Sequence, residues 1–338
     1  MKIKTKAITI EDVVRLSGVS RGTVSRVIND HPHVSEEKRK KVKEAIEQLD
    51  YMPNVSAQRL RNIKTKTIAV IVSSISNPFF GLLLEELEKD VIKLGYQLLL
   101  CNTRNSKKKE IDFLRLLITN QVDGIILASM ANYWENIKEF VNYGPIVCCN
   151  QFDPKVEVPS IGLDHEEAAY IGTKHFIDNG HEKIAFCGGI SQFNISVGRK
   201  QGYEKALKES GLKINKDWIF DNVYGTAGGI EVFNNVANMR VRPTAVFSGG
   251  DEIAVGFIKA ALDSGWKVPQ DISVMGFDNQ PIGTFVSPEL TTIQQPIEQM
   301  GKITIQKMIE SINNIQSMRS EEIILKANLI ERNSVKTI

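Results

Sequence analysis

The amino-acid sequence predicts an N-terminal all-α headpiece of helix-turn-helix form, followed by an α/β body of two open parallel sheets. Three observations carry that reading. Thr9 to Asn29, TIEDVVRLSGVSRGTVSRVIN, spaces apolar, capping and glycine residues as two short helices held at a sharp angle. Residues 1–66 hold 15 Lys and Arg against 8 Asp and Glu, whereas residues 67–338 hold 27 against 32. From residue 67 onward, apolar runs alternate with helical patterns in two successive series. A basic head on an acidic body implies that only the head meets a polyanion.

Taken in order, the first helix starts at Thr9, whose hydroxyl can cap the free amide of Asp12 while Asp12 reaches back, with Val13, Val14 and Leu16 as its apolar side. Gly18 stands where a left-handed residue stops the helix, Val19 fills the turn, and Ser20 caps the second helix. That helix turns Val24, Val27 and Ile28 inward and presents Arg21, Thr23, Ser25 and Arg26, a row of donors suited to base edges in a major groove. After a Pro-containing loop at 31–33, Ser35 is expected to cap a third helix running to about Leu49, with Val42, Ala45, Ile46 and Leu49 on one stripe. The run Lys38 to Lys41 reads as a solvated face, or in part as phosphate contacts.

Residues 1–50 thus form the headpiece and residues 51–66 a connecting segment. Within it, Val55 to Arg61 has the composition of a helix of two turns, which is marginal alone because isolated helices need roughly 12 to 15 residues. With Asn54 as cap, Val55, Ala57 and Leu60 make a small apolar face and Arg59 and Arg61 a basic one, suited to pairing with a symmetry mate over DNA; the plainer assignment is an interdomain linker.

The chain has 338 residues, 42% hydrophobic and 24% charged, the composition of a soluble globular protein with room for two or three cores. No apolar run reaches the roughly 18 residues of a membrane span, and the start MKIKTK precedes no apolar signal core, so a cytoplasmic location is expected. Cys101, Cys148, Cys149 and Cys187 lie in apolar runs without metal-ligand spacing and read as buried thiols. No GxxxxGK, GxSxG, HExxH or CxxC occurs, and Gly188-Gly189 reads as a strand-end turn, so neither an enzyme nor a cofactor or metal site is expected.

In the body, residues 67–338, strands are expected at 67–72, 96–101, 124–128 and 146–150, with helices at 77–94, 106–120 and 132–142. A second series begins near Ser160, with strands at 184–188, 244–248 and 272–277 and helices near 165–179, 199–210, 226–239 and 252–264. Two such sheets place a ligand crevice at the carboxyl ends of their strands. Candidates by position are Asn77, Phe79 and Phe80 after the first strand, Asn150 and Gln151 ending the fourth, Asp164 opening a helix, Asp251 and Asp278 in the second lobe, and Tyr224. Aromatic faces beside carboxylates and amides suit a polyol, although Asp278 is equally a cap and Phe80 equally core.

ITIEDVVRLSGVSRGTVSRVIN, VSEEKRKKV, LDYMPNVSAQRL and TKTIAVIV, with SNPFF at 76–80, VDGIIL at 122–127, GHEKIAF at 180–186, GRKQGYEKAL at 198–207, RPTAVFSGGDEIAVG at 242–256, VPQDISVMGFDN at 268–279 and LTTIQQP at 290–296, resemble the LacI/GalR family of bacterial transcription regulators over nearly the whole chain. The resemblance implies a periplasmic-binding-protein-like body whose chain crosses between lobes near 161, 290 and 322, giving an N-lobe of 67–160 and 291–321 and a C-lobe of 161–290 and 322–338. It implies a homodimer on a near-palindromic operator, contacted through Thr9, Ser20, Arg21, Gly22, Thr23, Ser25, Arg26, Asn29, Tyr51, Asn54, Ala57 and Leu60. Leu60 is carried into a minor-groove wedge, and Gln58 departs from the Arg of many relatives. Phe193 and Arg199 fall where the family contacts its effector, expected here to be a sugar or sugar phosphate. Purine-responsive members carry a basic residue near Phe193, which counts against a purine. SEEKRKKV, ANYWENI and YGPIVCC are similar to the catabolite-control branch, for which a phosphorylated phosphocarrier protein is the alternative partner.

Overall fold

The computed structural model describes residues 8–28, 31–51, 64–189, 194–314 and 320–338. The chain divides into two compact units, Met1–Thr65 and Lys66–Ile338.

In the first unit, α1 spans Ile10–Ser17, α2 Arg21–Ile28 and α3 Glu36–Leu49. The Asp12 carboxylate accepts the Thr9 amide at 2.9 Å and its hydroxyl at 2.7 Å, holding the start of α1. Gly18, at φ 67°, ends α1 by donating to the Val14 carbonyl, a backbone conformation that costs glycine little. Ser20 Oγ accepts the Thr23 amide at 3.3 Å and starts α2. Val13, Val24, Val27, Val42, Ala45 and Tyr51 form the core, with Val14, Val19, Ile28, Ile46 and Leu49 around it. Full burial of each valine contributes about 1.5–3 kcal/mol, enough for a small core to hold three helices. Two expectations are corrected. Leu16 is 48% exposed, because Val13 and Ser17, four residues apart, define the inward stripe of α1. Ser35 occupies the N-cap position of α3 but makes no side-chain capping bond.

The second unit has two six-stranded sheets. The first orders β11 (Glu322–Leu325), β5 (Ser160–Leu163), β4 (Ile146–Gln151), β3 (Gly124–Ser129), β1 (Thr67–Val72) and β2 (Gln97–Asn102). The second orders β12 (Asn328–Ile330), β10 (Thr291–Gln294), β9 (Ser273–Asp278), β8 (Ala245–Ser248), β6 (Ile184–Cys187) and β7 (Ile219–Phe220). Pairing is parallel except for β12 on β10, an antiparallel edge. β1 and β3 are buried at every position, as expected of a sheet covered on both faces. The first sheet lies between α4 (Pro78–Lys93) with α10 (Ile297–Asn313) and α5 (Lys107–Ile118); the second lies between α6 (His165–Asp178) with α7 (Asn194–Glu209) and α8 (Gly225–Ala237) with α9 (Asp251–Asp263). All four cysteines are free and buried, and burial lifts the Cys101 thiol to about 11.

The helix expected at 132–142 is instead two 3-10 segments, Trp134–Asn136 and Lys138–Tyr143. Trp134, Ile137 and Phe140 recur every third residue and all pack into one core, so the tighter period fits the burial better than an α-helix does. The crossings also fall later than expected. β5 and β11 belong to the first sheet and β10 to the second, so the chain changes sheet after Leu163, after Gln294 and after Leu325. These strands run only four residues each, too short for a periodic signal.

Candidate functional sites

On the headpiece, the start of α2 carries no acid in its first turn, leaving its positive end unopposed. Arg21, Gly22 and Arg26 are exposed and Thr23 and Ser25 half-buried, with Thr9 and Ser20 exposed at the two helix starts. Arg21 Nη1 lies 3.3 Å from Glu11 Oε1, a solvent-exposed pair of little strength. Tyr51, expected on the DNA-facing surface, is only 9% exposed and packs in the headpiece core, because its ring supplies apolar area that this short unit otherwise lacks. Burial and the nearby Glu11 carboxylate raise its hydroxyl pKa. Asn29, Asn54, Ala57 and Leu60 lie outside the described residues, as does Phe193 of the effector set.

The body holds a crevice of about 610 Å³ at the carboxyl ends of strands from both sheets. Asn77, Phe79, Phe80 and Asn150 line it from the first sheet, and Arg199, Tyr224 and Asp278 from the second. Asn77 Oδ1 accepts the Phe79 amide at 3.0 Å, so this residue both caps α4 and faces the crevice. Phe79 and Phe80 are 3% and 4% exposed, largely core residues that offer the crevice only their margins. Asn150 sits in the left-handed region at φ 68° and donates to the Ala128 carbonyl at 3.4 Å. Tyr224 is 61% exposed and supplies the accessible ring.

Arg199 and Asp278 organise the buried wall. Arg199 Nη1 donates to the Gly249 carbonyl at 2.6 Å, Nε donates to His165 Nδ1 at 3.4 Å, and Nη2 lies 3.6 Å from Asp278 Oδ1. Its guanidinium stacks 3.5 Å from the centre of the Phe277 ring. Asp278 Oδ1 accepts Gln295 Nε2 at 2.6 Å, and Oδ2 accepts Gln280 Nε2 at 3.3 Å. Burial raises the Asp278 pKa while Arg199 draws it back down. Burial, then Arg199, hold His165 well below the usual imidazole range, so it serves Arg199 as a neutral acceptor.

Two expected effector residues do not line this crevice. Asp164 Oδ1 accepts the Glu167 amide at 2.9 Å and caps α6, and its side chain borders a different cavity. Asp251 is fully buried behind the wall, where it accepts the Thr292 hydroxyl at 2.6 Å and the Gln280 amide at 2.5 Å. Burial first, then Asp278, raise its pKa to about 8. Glu252, Gln280 and Gln295 line the crevice and were missed. Gln295 follows the short strand β10, and Glu252 stands next to the selected Asp251; neither carries a motif of its own. Among the described residues, no group of three or more His, Cys, Asp or Glu is placed to hold a metal ion, and no helix is long and apolar enough to cross a membrane.

A headpiece with an outward row of donors, and a two-sheet body with a polar crevice at its strand ends, define a ligand-responsive DNA-binding regulator. The chain belongs to the lacI family of bacterial regulatory proteins. The model of that family matches residues 9–54, and one for a periplasmic binding protein-like domain matches residues 173–335. The NTD biosynthesis operon regulator NtdR of Bacillus subtilis is 41% identical, over 96% of this chain and 99% of its own. Catabolite control protein A of Priestia megaterium is 37% identical over 90% of this chain and 93% of its own. A solved complex of the transcriptional regulator CelR with cellobiose has a TM-score of 0.73 and 26% identity, covering 97% of this chain and 99% of that one. The relatives are transcription regulators, not enzymes. This protein is accordingly a DNA-binding transcriptional repressor of the lacI family controlled by a small-molecule effector.

Proposed function

We propose that the protein is a cytoplasmic homodimeric repressor of carbohydrate-metabolism genes, binding a near-palindromic operator and released or retained by a polyol in the crevice. The observation that carries the effector half is the buried Asp278 carboxylate, held by Arg199, Gln280 and Gln295 beside the exposed Tyr224 ring. A carboxylate can accept two hydroxyls while an aromatic face stacks on the apolar face of a sugar ring. CelR, solved with cellobiose, supports the same ligand class. The dimer half is supported by the outer edge of the first sheet. Leu99 and Leu100 on edge strand β2 are 40% and 45% exposed, and Ile92 and Leu94 at the end of α4 are 62% and 47% exposed, apolar area of the kind two copies would cover.

The DNA half rests on Arg21, Thr23, Ser25 and Arg26 at the exposed face of α2. Selection of bound duplexes from a randomised pool should enrich a near-palindrome of two half-sites. A thermal-shift screen should then find a sugar that also changes retention of that duplex. Enrichment of a single unrepeated half-site would refute the dimeric reading, and a purine acting in place of any sugar would refute the effector class.

A further inference from the structure

Building on the proposed polyol site, we infer that this crevice selects an aminated polyol, with Glu252 as counter-charge to the effector's ammonium group. Glu252 lies in the first turn of α9, is half-buried and lines the crevice. Among the described residues no ion pair or hydrogen bond is found to its carboxylate, and burial and Asp278 raise its pKa. A carboxylate at a helix start is favourable to the helix dipole. That role needs no crevice, however, and leaves the group unmatched where it faces one.

The only Lys or Arg lining the crevice, among the described residues, is Arg199. It is 6% exposed and already engaged by Asp278, the Gly249 carbonyl and the Phe277 ring. Its charge is therefore matched, and Glu252 is the surplus.

The second observation is independent of charge. Gln280 and Gln295, 2% and 4% exposed, line the same crevice, and the Oε1 of each has no hydrogen-bond partner. Their orientation is fixed chemically: each donates Nε2 to the Asp278 carboxylate, and turning either amide would set its carbonyl against that anion. The unpartnered groups in this wall are thus acceptors, both sealed from solvent, which a ligand donor reaches only as the wall shifts around it. A buried acceptor without a partner is costly, and a donor-rich ligand relieves it. Hydroxyls supply some donors, while an ammonium supplies three together with the counter-charge that Glu252 lacks. A phosphate or carboxylate supplies none and meets Glu252 head on, which argues against the sugar phosphates included in the initial expectation.

The experiment compares matched ligands on the full chain by calorimetry and thermal shift, in the gluco, galacto and manno series: the 2-amino sugar, its neutral parent, its N-acetyl derivative and its 6-phosphate. In the series that binds, the amino sugar should bind at least about tenfold tighter than its parent, the gain of one charge-assisted hydrogen bond. N-acetylation, which removes the charge without touching the protein, should abolish that gain. Glu252→Gln should bring the amino sugar down to its parent's affinity. A neutral sugar or a 6-phosphate binding as tightly as the amine, or a preference that survives N-acetylation, would overturn the inference and leave the polyol reading standing. If no member of any series binds while a non-polyol metabolite does, the polyol reading itself falls, and this inference with it.

Discussion

Asp251 and Asp278 are neighbouring carboxylates whose surroundings give them different work. Asp278 reaches the crevice and is matched by Arg199, whereas Asp251 is sealed behind the wall with two donors and its pKa is lifted to about 8. A carboxylate whose folded pKa exceeds its unfolded value binds protons more tightly when folded. Its contribution to stability is complete below the unfolded pKa of about 4 and is lost as pH rises toward 8. Asp251→Asn removes that loss, because an amide of the same shape keeps an oxygen for the Gln280 amide and lets the Thr292 hydroxyl turn to accept. Urea unfolding at pH 5 and pH 8 should show the wild type weakening across this window and the variant weakening less, by roughly 1.4 kcal/mol for each pH unit in which only the folded form stays protonated. Equal losses in both proteins would show that Asp251 is ionised when folded. The sequence placed both acids near strand ends, and there its resolution stopped. Which carboxylate reaches the crevice depends on how far β9 runs before Asp278 turns to a positive φ of 104°, a backbone feature with no residue code for a non-glycine.

At the scale of elements, the longer periodic segments were legible because each must bury one stripe or two faces, and that requirement writes itself into spacing. The α1 and α2 boundaries followed from Thr9, Gly18 and Ser20, and the buried strands β1 and β3 from their unbroken apolar runs. The 3-10 segments were misread because Trp134, Ile137 and Phe140 satisfy a helical search almost as well as a period of three. β5, β10, β11 and β12 were not resolved because three or four residues cannot show alternation. Those four short strands carry the crossings, so the position of Gln295 in the crevice was hidden with them. On α2, Arg21 has the reach for a bidentate contact with a guanine edge, and Gly22 beside it has no side chain to read with. Arg21→Ala should weaken operator binding by about 1 to 3 kcal/mol and relax preference at one base pair per half-site. Selection of sites with the variant tests this, and an unchanged preference at every position removes Arg21 from the reading set.

At the scale of the whole molecule, the question is which group in the crevice reports to both lobes. Gln295 is the strongest candidate. It follows β10 of the second sheet, donates to Asp278 at the end of β9, and precedes Pro296 and α10, which packs on the first sheet. A ligand that engages Asp278 therefore acts on a residue at one of the three crossings, and a change in the disposition of the lobes must pass through those short connections. Linkage requires that the factor by which the effector changes operator affinity equal the factor by which operator changes effector affinity, typically 5- to 150-fold, or about 1–3 kcal/mol. Gln295→Ala leaves the Asp278–Arg199 pair and the Gln280 bond in place, so it should lower effector affinity modestly but reduce the coupling factor strongly. Both quantities come from one set of titrations, effector into protein with and without operator. A variant that loses affinity while its coupling factor stays at the wild-type value would show that the lobes are linked through the other two crossings and not through Gln295.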